Sequence, residues 1–196
     1  MTKRTSFALC IAVVLTAWAA CVVADEAENN PAAPSDAAPA DAAKPAAKAV
    51  SADEVIDGFL EHLRQSEDFE QQQRDAAVKT VEQVRKDPFG VYEAITVGLG
   101  RLYPEYQQAL VAMARENLDV AAPVLEKFAA SKDPYLAADA SYYLSRSLIL
   151  SDNYADALPL LENVTGKLAD KTVLAGEAEY MRGVCEARLL KRQEAI

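Results

Sequence analysis

Asn117-Leu118-Asp119-Val120-Ala121-Ala122-Pro123-Val124-Leu125-Glu126 and Asn153-Tyr154-Ala155-Asp156-Ala157-Leu158-Pro159-Leu160-Leu161-Glu162 are one pattern written twice, 36 residues apart. Each copy opens on an asparagine after an acidic residue or a Ser-Asp pair, which turns the chain. Alanine, leucine and proline then return in the same places. In the first copy Leu118, Ala121, Ala122, Leu125 and Phe128 share one helical face; in the second Tyr154, Ala157, Leu158, Leu161 and Val164 do so. Spacings of three and four put these residues on a single apolar stripe, the mark of an amphipathic helix.

The stretches before the two copies correspond as well. Pro104 starts a helix, where its missing N–H costs nothing, and Tyr106, Ala109, Leu110 and Met113 form its face. Asp133-Pro134 closes that unit and opens the next, in which Leu136, Ala140, Tyr143, Leu144 and Leu148 form the face. A third unit follows: Glu194-Ala195-Ile196 matches Asp156-Ala157-Leu158 with a shift of 38, and Gly183 falls opposite Ser145 and Ala109. Small residues thus stand at the expected helix crossings, Ala109, Ser145 and Gly183 in the first helices and Ala121, Ala157 and Ala195 in the second. Helix pairs with a period in the mid-thirties stack because one pair cannot bury its apolar face alone. The expected class is all-α, an α-α solenoid of antiparallel helix pairs.

On these residues the chain resembles the tetratricopeptide repeat family. That family has Leu-Gly in its first helix, then an alanine and a bulky residue four positions later in its second. The middle unit carries Leu144-Ser145, Ala157 and Leu161. The first carries Ala109, Ala121 and Leu125, with Gln108 in place of the leucine. The third carries Gly183 and Ala195, with Arg182 in that place, and Glu105, Ser141 and Glu179 stand where the family has its early tryptophan. The resemblance spans Leu102 to Ile196, with units at about 102–134, 135–170 and 173–196, the last incomplete. It implies a right-handed superhelix whose first helices line a concave groove for a peptide or partner protein. The implied groove residues are Tyr106, Tyr142 and Tyr180, then Leu110, Arg146 and Val184, then Met113 and Ile149. A tyrosine ladder would offer apolar area with a polar tip; the same tyrosines could instead fill gaps between helices. The third unit ends with its second helix barely begun, which leaves either an end with an exposed face or a fragment of a longer solenoid; the latter is the expectation.

Residues 51–101 read as N-terminal helices, either a worn repeat or a cap. Ser51 and Glu54 have capping-box spacing, and Ile56, Phe59, Leu60 and Leu63 follow on one face. A second helix is expected over Glu67 to Arg85, with Phe69, Ala77, Val81 and Val84 inside, broken by Asp87-Pro88. A third passes through Tyr92, Ile95, Leu99 and Leu102, weakened by Gly98 and Gly100.

The start of the chain reads as an export leader. Met1 to Arg4 is basic, Phe7 to Ala24 is apolar and uncharged, and Val22-Val23-Ala24 precedes Asp25-Glu26. A signal peptide over residues 1–24 is the expectation. Two alternatives stand beside it: retention as an N-terminal membrane anchor, or lipidation at Cys21 after Ala19-Ala20. Trp18 and Val22-Val23 depart from the lipoprotein pattern. Residues 25–50 are rich in alanine, with Pro31, Pro34, Pro39 and Pro45 spaced through them. Proline prevents a continuous helix and alanine offers too little surface to order the chain, so a disordered linker is expected, reaching roughly 60–80 Å.

Composition narrows the functional class. The net charge is −10, and because Lys3 and Arg4 are the only charges before Asp25 the rest of the chain carries −12. Nucleic-acid binding needs a basic footprint, so no nucleic-acid partner is expected. With the leader removed Cys185 would be the lone cysteine, either a buried thiol or the donor of an intermolecular bridge. His62 is the single histidine and has no ligand-spaced neighbours. Gly98-Leu99-Gly100 follows no strand and is not a dinucleotide loop. No catalytic, cofactor or metal residues are expected. The reading is a non-enzymatic scaffold of the bacterial periplasm or cell envelope that binds a protein or peptide. The alternative is a membrane-anchored or lipoprotein structural component, touching the membrane only through the N-terminal segment.

Overall fold

The computed structural model describes residues 50–194, with side chains through residue 190. Among them every regular element is helical: α1 (Ala52–Gln65), α2 (Gln71–Val84), α3 (Ala94–Leu102), α4 (Pro104–Ala114), α5 (Leu118–Ala129), α6 (Pro134–Leu150), α7 (Tyr154–Thr165) and α8 (Ala175–Glu194). Short 3-10 turns at Gly90–Glu93 and Ala169–Lys171 lead into α3 and α8. The fold class is all-α, and helices adjacent in the chain pack on one another in sequence.

The capping box at the start of α1 forms as the spacing predicts. Ser51 Oγ accepts from the Glu54 N–H at 3.2 Å, and the Glu54 carboxylate accepts from the Ser51 N–H at 2.8 Å. Val55, Ile56, Phe59, Leu60 and Leu63 then enter the core. α2 starts at Gln71, four residues later than expected. The Arg74 guanidinium explains the delay: it donates to the Ser66 carbonyl at 2.6 Å and the Phe69 carbonyl at 2.7 Å, which satisfies that backbone in a non-helical link.

In α3 the glycines act differently from the expectation. A Cβ on Gly98 would lie 2.6 Å from Val81 Cγ2 and 2.9 Å from Phe59 Cε1. Gly98 is therefore the point at which α3 is allowed to approach α1 and α2, and its cost in helix propensity is offset by that contact. Tyr103, kept out of the helical region by the proline after it (φ −120°, ψ 85°), turns the chain from α3 into α4.

The two copies of the repeated pattern have the same local geometry. Glu116 and Asp152 both take left-handed backbone, with φ of 60° and 56°. Behind them the Asn117 N–H reaches the Ala112 carbonyl at 3.0 Å and the Asn153 N–H reaches Leu148 at 2.8 Å, the wide bond of a Schellman-type helix end. α5 and α7 are each 12 residues long. Pro123 and Pro159 both sit at the sixth position on the solvent side, where the lost i→i−4 bond is least costly. Ala109, Ala121, Ser145 and Ala157 are all buried, as are Leu125 and Leu161 four residues after the second alanine.

α6 is the central strut. Every residue from Tyr135 to Ser147 is buried. α5 and α7 flank it, and α3 and the 169–171 turn also touch it. Asp133 caps its N-terminus, accepting from the N–H groups of Tyr135 and Leu136.

The third unit departs from the pattern. The repeat register sets Glu194 opposite Asp156, inside a second helix, but α8 runs unbroken from Ala175 to Glu194. The residues there, Leu189-Leu190-Lys191-Arg192-Gln193-Glu194, are all strong helix formers, and no Asn, Gly or Pro interrupts them. The signal peptide, the linker and the Ala195-Ile196 match lie outside the described residues.

Candidate interaction surface

The sequence places Tyr106, Tyr142 and Tyr180 in one register, and the structure separates them. Tyr106 has no exposed surface. Its hydroxyl donates to Asp139 on α6 at 2.7 Å, and its ring meets Phe128 edge-on, with centroids 5.5 Å apart. Tyr142 is 1% exposed, its hydroxyl held by Glu177 of α8 and its ring edge-on to Tyr143. Burial pushes both phenols above their ordinary range, so both stay neutral. Tyr180, in contrast, is 57% exposed.

The eight residues of the expected groove differ in burial. Tyr106, Tyr142, Met113 and Arg146 are core residues. Leu110, Ile149 and Val184 are half-buried, and Tyr180 alone of the eight is open. An acidic residue of a later helix meets each enclosed hydroxyl: Asp139 of α6 for Tyr106, Glu177 of α8 for Tyr142. Sequence reasoning missed these acids although the signal was present, because Asp139 and Glu177 each stand three residues before a tyrosine of the ladder. Thr96 was missed as well; its hydroxyl donates to the other Asp139 oxygen at 2.9 Å.

Among the described residues α8 is enclosed on one side only. Its inner side buries Ala178, Met181 and Cys185. Its outer side carries Gly176, Tyr180, Gly183, Ala187 and Leu190 at spacings of four, three, four and three, all exposed. A Cβ built on Gly176 or Gly183 meets no atom within 4 Å. The corresponding residues Leu102, Tyr106, Ala109 and Met113 of the first unit are buried, as are Ala138, Tyr142 and Ser145 of the second. The third unit therefore shows solvent a surface that its two predecessors enclose. One edge of this stripe is acidic, with Glu179 paired to Arg182 on the same helix and Glu186 beside them.

Other surface features are less organised. Phe89 is 88% exposed in the link before α3, with Tyr92 exposed beside it. A shallow depression of about 540 Å³ on the outer side of α4 lies among Pro104, Gln107, Gln108 and Arg115. Among the described residues no group of three or more His, Cys, Asp or Glu side chains is placed to hold a metal ion, and no helix is long and apolar enough to cross a membrane. Comparison with family models, curated proteins and solved structures gives no match for this chain.

Proposed function

We propose that this chain is a non-catalytic protein-interaction scaffold of tetratricopeptide type, exported to the periplasm or cell envelope of a bacterium. In this reading its antiparallel helix pairs wind as a right-handed solenoid, and a segment of a partner protein lies on the outer face of α8. One observation carries the reading: Gly176, Tyr180 and Gly183 are exposed where the same positions of two earlier units are buried. A helix laid across Gly183 would repeat the approach already made at Ala109 and Ser145. The leader-like residues 1–24 and the Ala/Pro-rich residues 25–50 support export and tethering.

The test uses the full chain as bait in envelope extract, with Tyr180→Ala and Gly183→Arg variants alongside. Partners specific to the α8 face are expected to be lost from both variants while the melting temperature holds. A captured set that is the same for all three proteins sinks the reading. The second reading, an anchored structural component, rests on Ala19-Ala20-Cys21. Radiolabelled fatty acid incorporated into the wild type and absent from Cys21→Ala supports it; no label in either removes it.

A further inference from the structure

α1–α3 do more than extend the stack. They reach back to α6, and the ties they make there depend on protons. At one end of the contact the Asp139 carboxylate, fully enclosed, accepts from Thr96 of α3 and from Tyr106 of α4. Both donors are neutral hydroxyls, so these two bonds offset only part of the desolvation of an ionised carboxylate and bring no opposite charge to it. Tyr143 feels the charge of Asp139 and, more weakly, of Glu93, the last residue of the 3-10 turn that leads into α3. Arg146 lies further along α6, beside Tyr142 and Tyr143. At the other end Tyr135 of α6 packs its ring on Phe59 and His62 of α1, with centroids 5.1 and 5.2 Å apart. His62 Nε2 stands 3.3 Å from the Asp133 carboxylate, an ion pair when the imidazole is protonated.

We propose that α1–α3 form an acid-fastened cover over α6, seated when Asp139 and Glu93 hold protons and loosened when those protons leave. The two acids favour one direction for the same physical cause. Burial pushes the Asp139 carboxyl up to about 6 from 3.8, against the lowering pull of Tyr106 and Thr96. Burial first, and then the charge of Asp87, also raises Glu93. A carboxyl whose value is raised in the closed form contributes its full stabilisation below the ordinary value and loses it as pH climbs through the raised one. The Tyr106 and Tyr143 phenols, pushed upward by burial, stay neutral throughout. The proposal goes beyond the scaffold reading and stands without it: it concerns which helices open, whatever binds to α8.

Hydrogen–deuterium exchange of the full chain, corrected for intrinsic rates, tests it at about pH 5 and about pH 7.5. Protection of α3 is expected to be about tenfold or more higher at the acid pH, with α7 unchanged. Asp139→Asn, which cannot ionise, is expected to reduce the change in α3. Thr96→Val, which withdraws one donor from the ionised form, is expected to move the midpoint to higher pH. Wild-type α3 protection that is independent of pH, or that rises in step with α7, overturns the proposal even if neither variant folds. Because no partner is present in this measurement, its failure is distinct from failure of the capture experiment.

Discussion

Tyr142→Ala would empty an enclosed ring site and leave Glu177 of α8 without its hydroxyl donor. A loss of about 3–5 kcal/mol is expected from the volume alone. Tyr180→Ala, at the same register position but in solvent, is expected to change stability by no more than about 0.5 kcal/mol. Urea unfolding followed by circular dichroism separates the two; equal losses would mean that α8 is covered in solution. Asp139 supplies the second expectation at this scale. Its carboxyl sits at about 6 in the fold against 3.8 ordinarily, so the chain is expected to gain stability as pH falls from 7 towards 5. The whole shift is worth on the order of 3 kcal/mol. Asp139→Asn is expected to flatten much of that slope in denaturant titrations run across the range. The tyrosine register was legible in the sequence, but the fate of each ring was not. Spacing says which residues are equivalent. Burial depends on whether another unit follows, and that information lies some 35 residues further on, at Asp139 and Glu177.

Helices are the scale at which sequence reasoning did best. Apolar spacing located the helical segments, Ser51 and Glu54 marked a start, and Asp87-Pro88 and Asp133-Pro134 marked breaks that the structure keeps. The misses have local causes. α2 begins late because Arg74 ties up two carbonyls, a long side chain acting on backbone that propensity does not see. α8 runs on because Leu189 to Glu194 are all helix formers. Glycine gives the clearest contrast. Gly98 and Gly183 both look like weak points in a helix, yet alanine is expected to act oppositely at the two sites. At Gly98 it drives a methyl into Val81 and Phe59, for a cost of about 1–3 kcal/mol. At Gly183 it meets open space and is expected to stabilise α8 by up to about 1 kcal/mol. Thermal melts of the two variants displaced to the same side of the wild type would refute this account.

At the scale of the helical unit, small residues recur inside the core at matching places of the repeat. Ala109 with Ala121, and Ser145 with Ala157, are buried at matching places in successive hairpins. Enlarging one of them forces two helices apart along their length, so Ala157→Leu is expected to destabilise by about 1–3 kcal/mol despite adding apolar surface. A variant as stable as the parent would show that α6 and α7 do not rely on close approach there. The hairpin period was visible in the sequence. The way α1–α3 return to α6 was not, since it rests on Thr96, His62 and Tyr135, residues scattered across three helices that follow no period.

The complete enclosure of α6 from Tyr135 to Ser147 has a consequence for how such a chain can change length. A helix with a wet side absorbs a one-residue insertion by rotating spare polar groups into its packed side; α6 has no such side. Adding a residue there would turn everything beyond it by about 100° and misalign both neighbouring hairpins together. Gains and losses of single residues should therefore gather in the links before α3 and α8, while α6 itself can be exchanged only as part of a whole hairpin.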